Sequence, residues 1–271
     1  MSLNKAFILP HSPLLIPEIG KTNYAFLEKT SQAYLQIGAE LNELEIDTLI
    51  IISPHGLSSE SSFTINVAPE MIINLQDFGF IPEKEILRGD FLLADRIKDA
   101  LRDKFSLEMT SEGIIDYGSA IPAYLLKKSG AKFKIIIIIP AEKSDLSIQY
   151  AFGKMLQTII LESEQKIAVI SSSDLSHRLK KKSPGGYSPK GAKFDNKLIE
   201  YLNEPISAAE KIMNIDQNLI EDAAECGLKP ITMLLGIIDG LCSESKVLSY
   251  QTDFGVGYLS LDFKLINAYD K

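Results

Sequence analysis

The chain has 271 residues, with 28 Lys and Arg against 36 Asp and Glu, a net charge of −8, 45% hydrophobic residues, no Trp, two Cys and three His. That length suits one large α/β domain or two small ones, and the ordinary apolar and charged fractions exclude disordered, collagen-like and fibrous classes. Cys226 and Cys242 are too few for a disulfide scaffold and read as reduced thiols, and the acidic balance argues against non-specific nucleic-acid binding. The apolar run Ile135 to Ile139 ends at Pro140, far short of the roughly 20 residues of a spanning helix. The N-terminus lacks the ~7–15-residue apolar core of a secretory signal. A cytoplasmic protein without a membrane partner is the expectation.

Lys5 to Leu9 reads as a short strand ended by Pro10, and Phe26 to Leu44 as an amphipathic helix through Leu27, Tyr34, Leu41 and Leu44. Asp47 to Ser53 is a continuous apolar strand, as in strands buried on both faces. Ser62 to Val67 alternates and predicts a half-exposed strand. Asp90 caps a helix carrying Leu93, Ile97 and Leu101. Phe133 to Ile139 is a second buried strand, Leu146 to Leu161 a third helix, and Lys166 to Ser172 a third buried strand. Residues 191 to 241 read as mostly helical, and Lys246 to Thr252 and Val256 to Lys264 close the chain as strands. Buried strands alternating with helices predict one α/β domain over residues 1–271, with a largely parallel or mixed central sheet flanked by helices.

Open α/β sheets bind ligands beyond the carboxyl ends of their strands. His11, in Leu-Pro-His-Ser-Pro, follows the first strand, His55, in Ser-Pro-His-Gly, follows the second, and His177, in Ser-Ser-Asp-Leu-Ser-His, follows Lys166–Ser172. Every histidine of the chain falls where such a fold builds its site, two of them on proline-stiffened turns. Histidines so held suggest a metal, which a carboxylate would complete as a two-His-one-carboxylate set. Spacing does not choose among 36 acids. Glu225 stands out by context, in Ala-Ala-Glu-Cys-Gly-Leu-Lys-Pro, although taken alone it reads first as an ordinary helix-end glutamate, beside a cysteine that could also bind metal.

His11 in HSPLLIPEIG, His55 in SPHG, His177 in SSSDLSH and Glu225-Cys226 in ECGLKP, in that order, resemble the LigB-type class III extradiol ring-cleavage dioxygenases. The resemblance runs nearly the length of the chain and is nearest to the branch associated with AMMECR1 and Memo-like proteins, without an AMMECR1 domain in this sequence. It implies Fe(II), with Zn or Cu as alternatives, held by His11, His55 and Glu225, and His177 as the acid/base. It also implies a small catechol- or aminophenol-type aromatic substrate cleaved with O2, and allows a homo-oligomer. Two departures stand out. Many members carry a histidine where this chain has Tyr117, and in Memo-like relatives a cysteine in a CG..P motif is the third ligand, which Cys226 matches.

Three function classes follow: an extradiol dioxygenase, a Memo-like metal protein with a redox or partner role and no ring cleavage, and a zinc hydrolase on the same scaffold. A His-His-Glu set with an available histidine favours the first, whereas recruitment of Cys226 favours copper or zinc and the second. Residues 178 to 193 hold six Lys or Arg and no acid. They read either as a solvated loop or as a lid that draws in an anionic aromatic, with Tyr187 stacking on its ring. No G-x-S-x-G elbow, phosphate loop, G-x-G-x-x-G or paired C-x-x-C is present.

Overall fold

The structure is a computed structural model that describes residues 2–82 and 85–266. In chain order its elements are β1 (Leu3–Leu9), α1 (Pro17–Gly20), α2 (Glu28–Glu43), β2 (Thr48–Ile52), β3 (Phe63–Asn66), β4 (Glu70–Ile73), β5 (Ile86–Arg88), α3 (Phe91–Leu101), β6 (Leu107–Thr110), β7 (Ile114–Ile115) and α4 (Tyr117–Lys128). They continue with β8 (Lys134–Ile139), α5 (Leu146–Leu161), β9 (Ile167–Ser172), α6 (Pro189–Leu202), α7 (Pro205–Met213), α8 (Gln217–Ala223), α9 (Leu228–Ile238), β10 (Cys242–Gln251) and β11 (Tyr258–Leu265).

Eight strands form one mixed sheet in the order β10-β11-β1-β9-β2-β8-β3-β6. Its middle, β1-β9-β2-β8, is parallel throughout. The isoleucine-rich strands explain this: Ile50, Ile52, Ile136 and Ile138 pack on one side of the sheet, and Leu49, Ile51, Ile135 and Ile137 on the other. Each such side chain contributes about 1.5–3 kcal/mol by leaving water, and two apolar faces require helices on both sides. Asp90 caps α3 through Leu93 N, as its sequence context predicts. No helix of the described residues is long and apolar enough to cross a membrane.

Two stretches differ from the sequence-based reading. Residues 63 to 66 are buried along their whole length, not half-exposed, because β3 is interior, antiparallel to β8 and parallel to β6. Its polar side of Thr64 and Asn66 is covered, and Asn66 is satisfied by Glu112 O and Ala68 N. The sequence also hid a second sheet, β5-β4-β7, and helix α4, which carries Pro122 in its interior.

Candidate metal centre

Parallel strands end on one edge of the sheet, and the register aligns their last residues. Leu9 pairs with Ser172, and Ile52 with Ser171. His11 and His55 leave β1 and β2 on the turns that follow, side by side. The His11 backbone N–H donates to the Asp174 carboxylate at 3.0 Å, which fixes the first turn. In the second, His55 N donates to Ser53 Oγ at 3.2 Å, and Ser53 Oγ donates to Asp116 Oδ1 at 2.7 Å. Asp116 in turn caps α4 through Ser119 N. Gly56, with φ +102°, makes the sharp exit after His55, where a Cβ would meet Ile139 Cδ1 at 2.7 Å.

The two imidazoles meet edge to face with their Nε2 atoms 3.2 Å apart. Cys226, on the turn between α8 and α9, brings Sγ to 3.6 Å from His11 Nε2. Among the described residues, His11, His55 and Cys226 form the one group of three His, Cys, Asp or Glu side chains whose ligand atoms all lie within 4.8 Å of one another. Gly227 makes this approach possible, since a Cβ there would lie 2.7 Å from Ser173 Cβ and 2.8 Å from Asp174 O. Glu225 is placed differently. Its Oε2 accepts from Leu228 N at 2.5 Å, tying the carboxylate to the first turn of α9. Cys226 thus stands where the sequence reading put Glu225 in the three-residue group.

The electrostatics suit the two histidines as neutral donors. Burial lowers His11 to about 3, and burial followed by the neighbouring His11 lowers His55 to about 4. Burial pushes the Cys226 thiol well above its ordinary value and raises Glu225 to about 7. Both donor separations also suit a metal. Ligands bonded at about 2.0–2.1 Å through nitrogen and about 2.3 Å through sulfur stand this far apart at angles of roughly 100–110°.

Around this group stand three further polar side chains. Tyr117 stacks on His55 at 4.3 Å and sets its hydroxyl 2.8 Å from His55 Nε2. Asp174 brings Oδ2 to 3.7 Å from His11 Nε2, and burial raises its carboxyl to about 6. The sequence motifs assign Asp174 no role of its own. Its signal was its position two residues past β9, where a carboxylate is expected to face the site. His177 sits half-buried, with Nδ1 2.8 Å from the Ala224 carbonyl. A carbonyl only accepts, so Nδ1 is the donor of this bond and Nε2 is the ring nitrogen it leaves free. His177 lies close enough for its charge to act on His11, His55 and Asp174.

Ala224 points its carbonyl at His177 by adopting φ +50° and ψ +47°. This is left-handed backbone that costs a non-glycine residue roughly 1 kcal/mol. Ala224→Gly is expected to raise stability in urea unfolding by about 0.5–1 kcal/mol, with the turn otherwise unchanged.

The basic stretch after His177 is not loose. Leu179 N and Ser183 Oγ both bond to Gly255 O, Gly185 N bonds to His177 O, and Ser188 N bonds to Arg178 O. Arg178 and Lys190 face Asp222. Lys181, Lys182 and Tyr187 lie exposed at its tip.

Gly118, on α4, lies against the centre. A Cβ there would come within 2.7 Å of Ser53 Oγ and 2.9 Å of His55 Cδ2. Gly118→Ala is expected to displace the His55 ring, to cost about 1–3 kcal/mol of stability by overpacking, and to weaken metal binding. Calorimetric titration with Zn(II) alongside urea unfolding measures both.

A model of the catalytic LigB subunit of aromatic ring-opening dioxygenase matches residues 5–260. The chain belongs to the LigB family. Protein CA_C1420 of Clostridium acetobutylicum is 31% identical over 268 residues, which is 95% of this chain and 57% of that protein. The chain therefore spans little more than half the length of this relative. Among solved structures, the uncharacterised protein JW3007 of Escherichia coli K12 shares the fold with a TM-score of 0.68 at 14% identity, over 96% of this chain and 99% of that one. The family places this LigB chain in the extradiol-type dioxygenase superfamily, whose members typically use non-haem iron.

Proposed function

We propose that this LigB-family protein is a mononuclear metal-dependent oxidoreductase whose metal is held by His11, His55 and Cys226. The convergence of those three donor atoms carries the reading. Two imidazoles and one thiolate suit copper, iron and zinc, and a soft sulfur donor in place of a carboxylate favours copper or thiolate-bound iron over the usual two-His-one-carboxylate iron site. When bound, such a metal supplies one-electron chemistry with O2 or a reducible partner.

The protein's own residues do the rest. His11 and His55 stay neutral through burial and remain available as donors at any working pH. Tyr117 offers a hydroxyl next to His55, placed to hold an oxygen of the substrate. His177, anchored through Nδ1, has Nε2 left to exchange a proton with a substrate hydroxyl. A cavity of about 200 Å³ lined by Pro54, Pro140, Glu142, Glu225, Cys226 and Lys229 opens beside the thiol. It is smaller than the ~300–1,000 Å³ of most ligand pockets, so the substrate is small.

His177 supports a second reading, extradiol cleavage of a catechol- or aminophenol-type ring, because that chemistry needs a histidine outside the ligand set as base and then acid. The two readings part in one experiment. Protein loaded anaerobically with Fe(II), and separately with Cu(I), is exposed to O2 with and without a catechol panel while oxygen uptake and product absorbance are followed. Catechol-dependent uptake with a yellow ring-fission product, lost in His177→Ala, establishes ring cleavage. Uptake or metal oxidation without a ring-fission product establishes the redox role. Failure of His11→Ala and His55→Ala to weaken metal binding sinks both.

A further inference from the structure

We propose that Pro122 and Ser172 are positioning residues that set the tautomer of His11, through the carbonyl of Gly118. The proposal rests on reading His11 as a metal ligand through Nε2.

Helix α4 lacks one backbone proton. In α4 the carbonyl of Gly118 would ordinarily accept from the backbone N–H four residues on. That residue is Pro122, which has no N–H. A buried carbonyl without its donor costs free energy, so another donor takes the place. Ser172 supplies it, with Oγ 2.5 Å from Gly118 O. Ser172 is the last residue of β9, paired in register with Leu9 two residues before His11. It is fully buried, so no water competes for its hydroxyl.

A serine hydroxyl has one proton. Because that proton goes to Gly118 O, Ser172 Oγ meets its other neighbour as an acceptor only. That neighbour is His11 Nδ1, 2.9 Å away. His11 must then donate from Nδ1, which leaves its lone pair on Nε2. Nε2 is the atom that faces His55 Nε2 at 3.2 Å and Cys226 Sγ at 3.6 Å. The helix-interior proline thus determines, two hydrogen bonds away, which nitrogen of a buried histidine is open to a cation. Metal-bound histidines are commonly oriented by a partner on the other ring nitrogen. In this chain that partner is itself fixed by a backbone vacancy.

The test reads the tautomer directly in the metal-free protein, by 15N-histidine NMR. Wild-type His11 is expected to show a single form, protonated at Nδ1. Ser172→Ala removes the acceptor and is expected to bring in the Nε2-protonated form, with Zn(II) affinity falling about 10–100-fold. Pro122→Ala restores an N–H for Gly118 O, frees the Ser172 proton and is expected to give a mixture of tautomers. Ser172→Thr keeps the hydroxyl and is expected to retain the wild-type signal. A wild-type tautomer in both Ser172→Ala and Pro122→Ala, each shown folded by its thermal transition, overturns the proposal. Tautomer changes without any change in Zn(II) affinity leave the relay standing and count against His11 as the ligand, so the two failures are distinguishable.

Discussion

Replacing Cys226 with serine is expected to cost on the order of 100-fold or more in Zn(II) or Co(II) affinity, whereas Glu225→Gln is expected to change it by less than about threefold. Loss of an outer partner of a metal ligand already costs about 10–100-fold, and loss of one of three donors exceeds that. The glutamine is mild for a structural reason. Leu228 N donates to Glu225 Oε2, and a glutamine oxygen accepts the same bond, so the first turn of α9 keeps its tie. The Co(II) form gives a second readout. A near-ultraviolet sulfur-to-cobalt charge-transfer band is expected in wild type and Glu225→Gln, and absent in Cys226→Ser. The reverse pattern, with affinity lost in Glu225→Gln and kept in Cys226→Ser, would return the carboxylate to the ligand set and favour the two-His-one-carboxylate iron site.

The contrast between these neighbours shows what the sequence makes legible and what it does not. His11 and His55 could be placed because each follows a buried strand after a proline, and parallel strands deliver their ends to one edge. The choice between Glu225 and Cys226 could not be read in the same way. It depends on which of two consecutive side chains faces the cluster, and the turn decides that through two local facts. Ala224 is left-handed, and Gly227 lies against Ser173 and Asp174 more closely than any side chain permits.

Helix α4 was hidden for a related reason. Pro122 is a helix breaker by propensity, and its cost is offset here by a serine from another strand. The β5-β4-β7 sheet was hidden because its strands have three, four and two residues, too short for alternation to register. Asp174 could be read only as two residues past a strand, and its contact with His11 needs the register of β1 on β9.

Asp195 supplies the second large effect, this time on stability. It is fully buried on α6, accepting from Ser176 N at 2.8 Å and from Tyr250 OH at 2.7 Å. Burial outweighs both bonds and raises its carboxyl to about 6. An unfolded chain loses the same proton near pH 3.9. Between these values the folded state holds more protons, so Asp195's contribution is fully present below about pH 4 and is lost as pH rises through about 6. At 1.36 kcal/mol per unit, the loss amounts to about 2–3 kcal/mol.

Asp195→Asn keeps both bonds, because its amide oxygen accepts from Ser176 N and its NH2 donates to the Tyr250 oxygen. The variant has no proton to lose. Its stability relative to wild type is therefore expected to rise by about 2–3 kcal/mol between pH 4 and pH 7, measured as the difference of paired urea unfolding curves so that other titrating groups cancel. A difference that stays constant with pH would show that Asp195 ionises normally in the fold. The consequence reaches the metal centre through the chain itself. Ser176 N is held by Asp195, Ser176 Oγ by Ala223 O, and His177 N by the same Ala223 O. The strained turn that aims Ala224 at His177 is therefore anchored on a carboxyl that is most comfortable when protonated, and the asparagine variant holds that anchor at every pH.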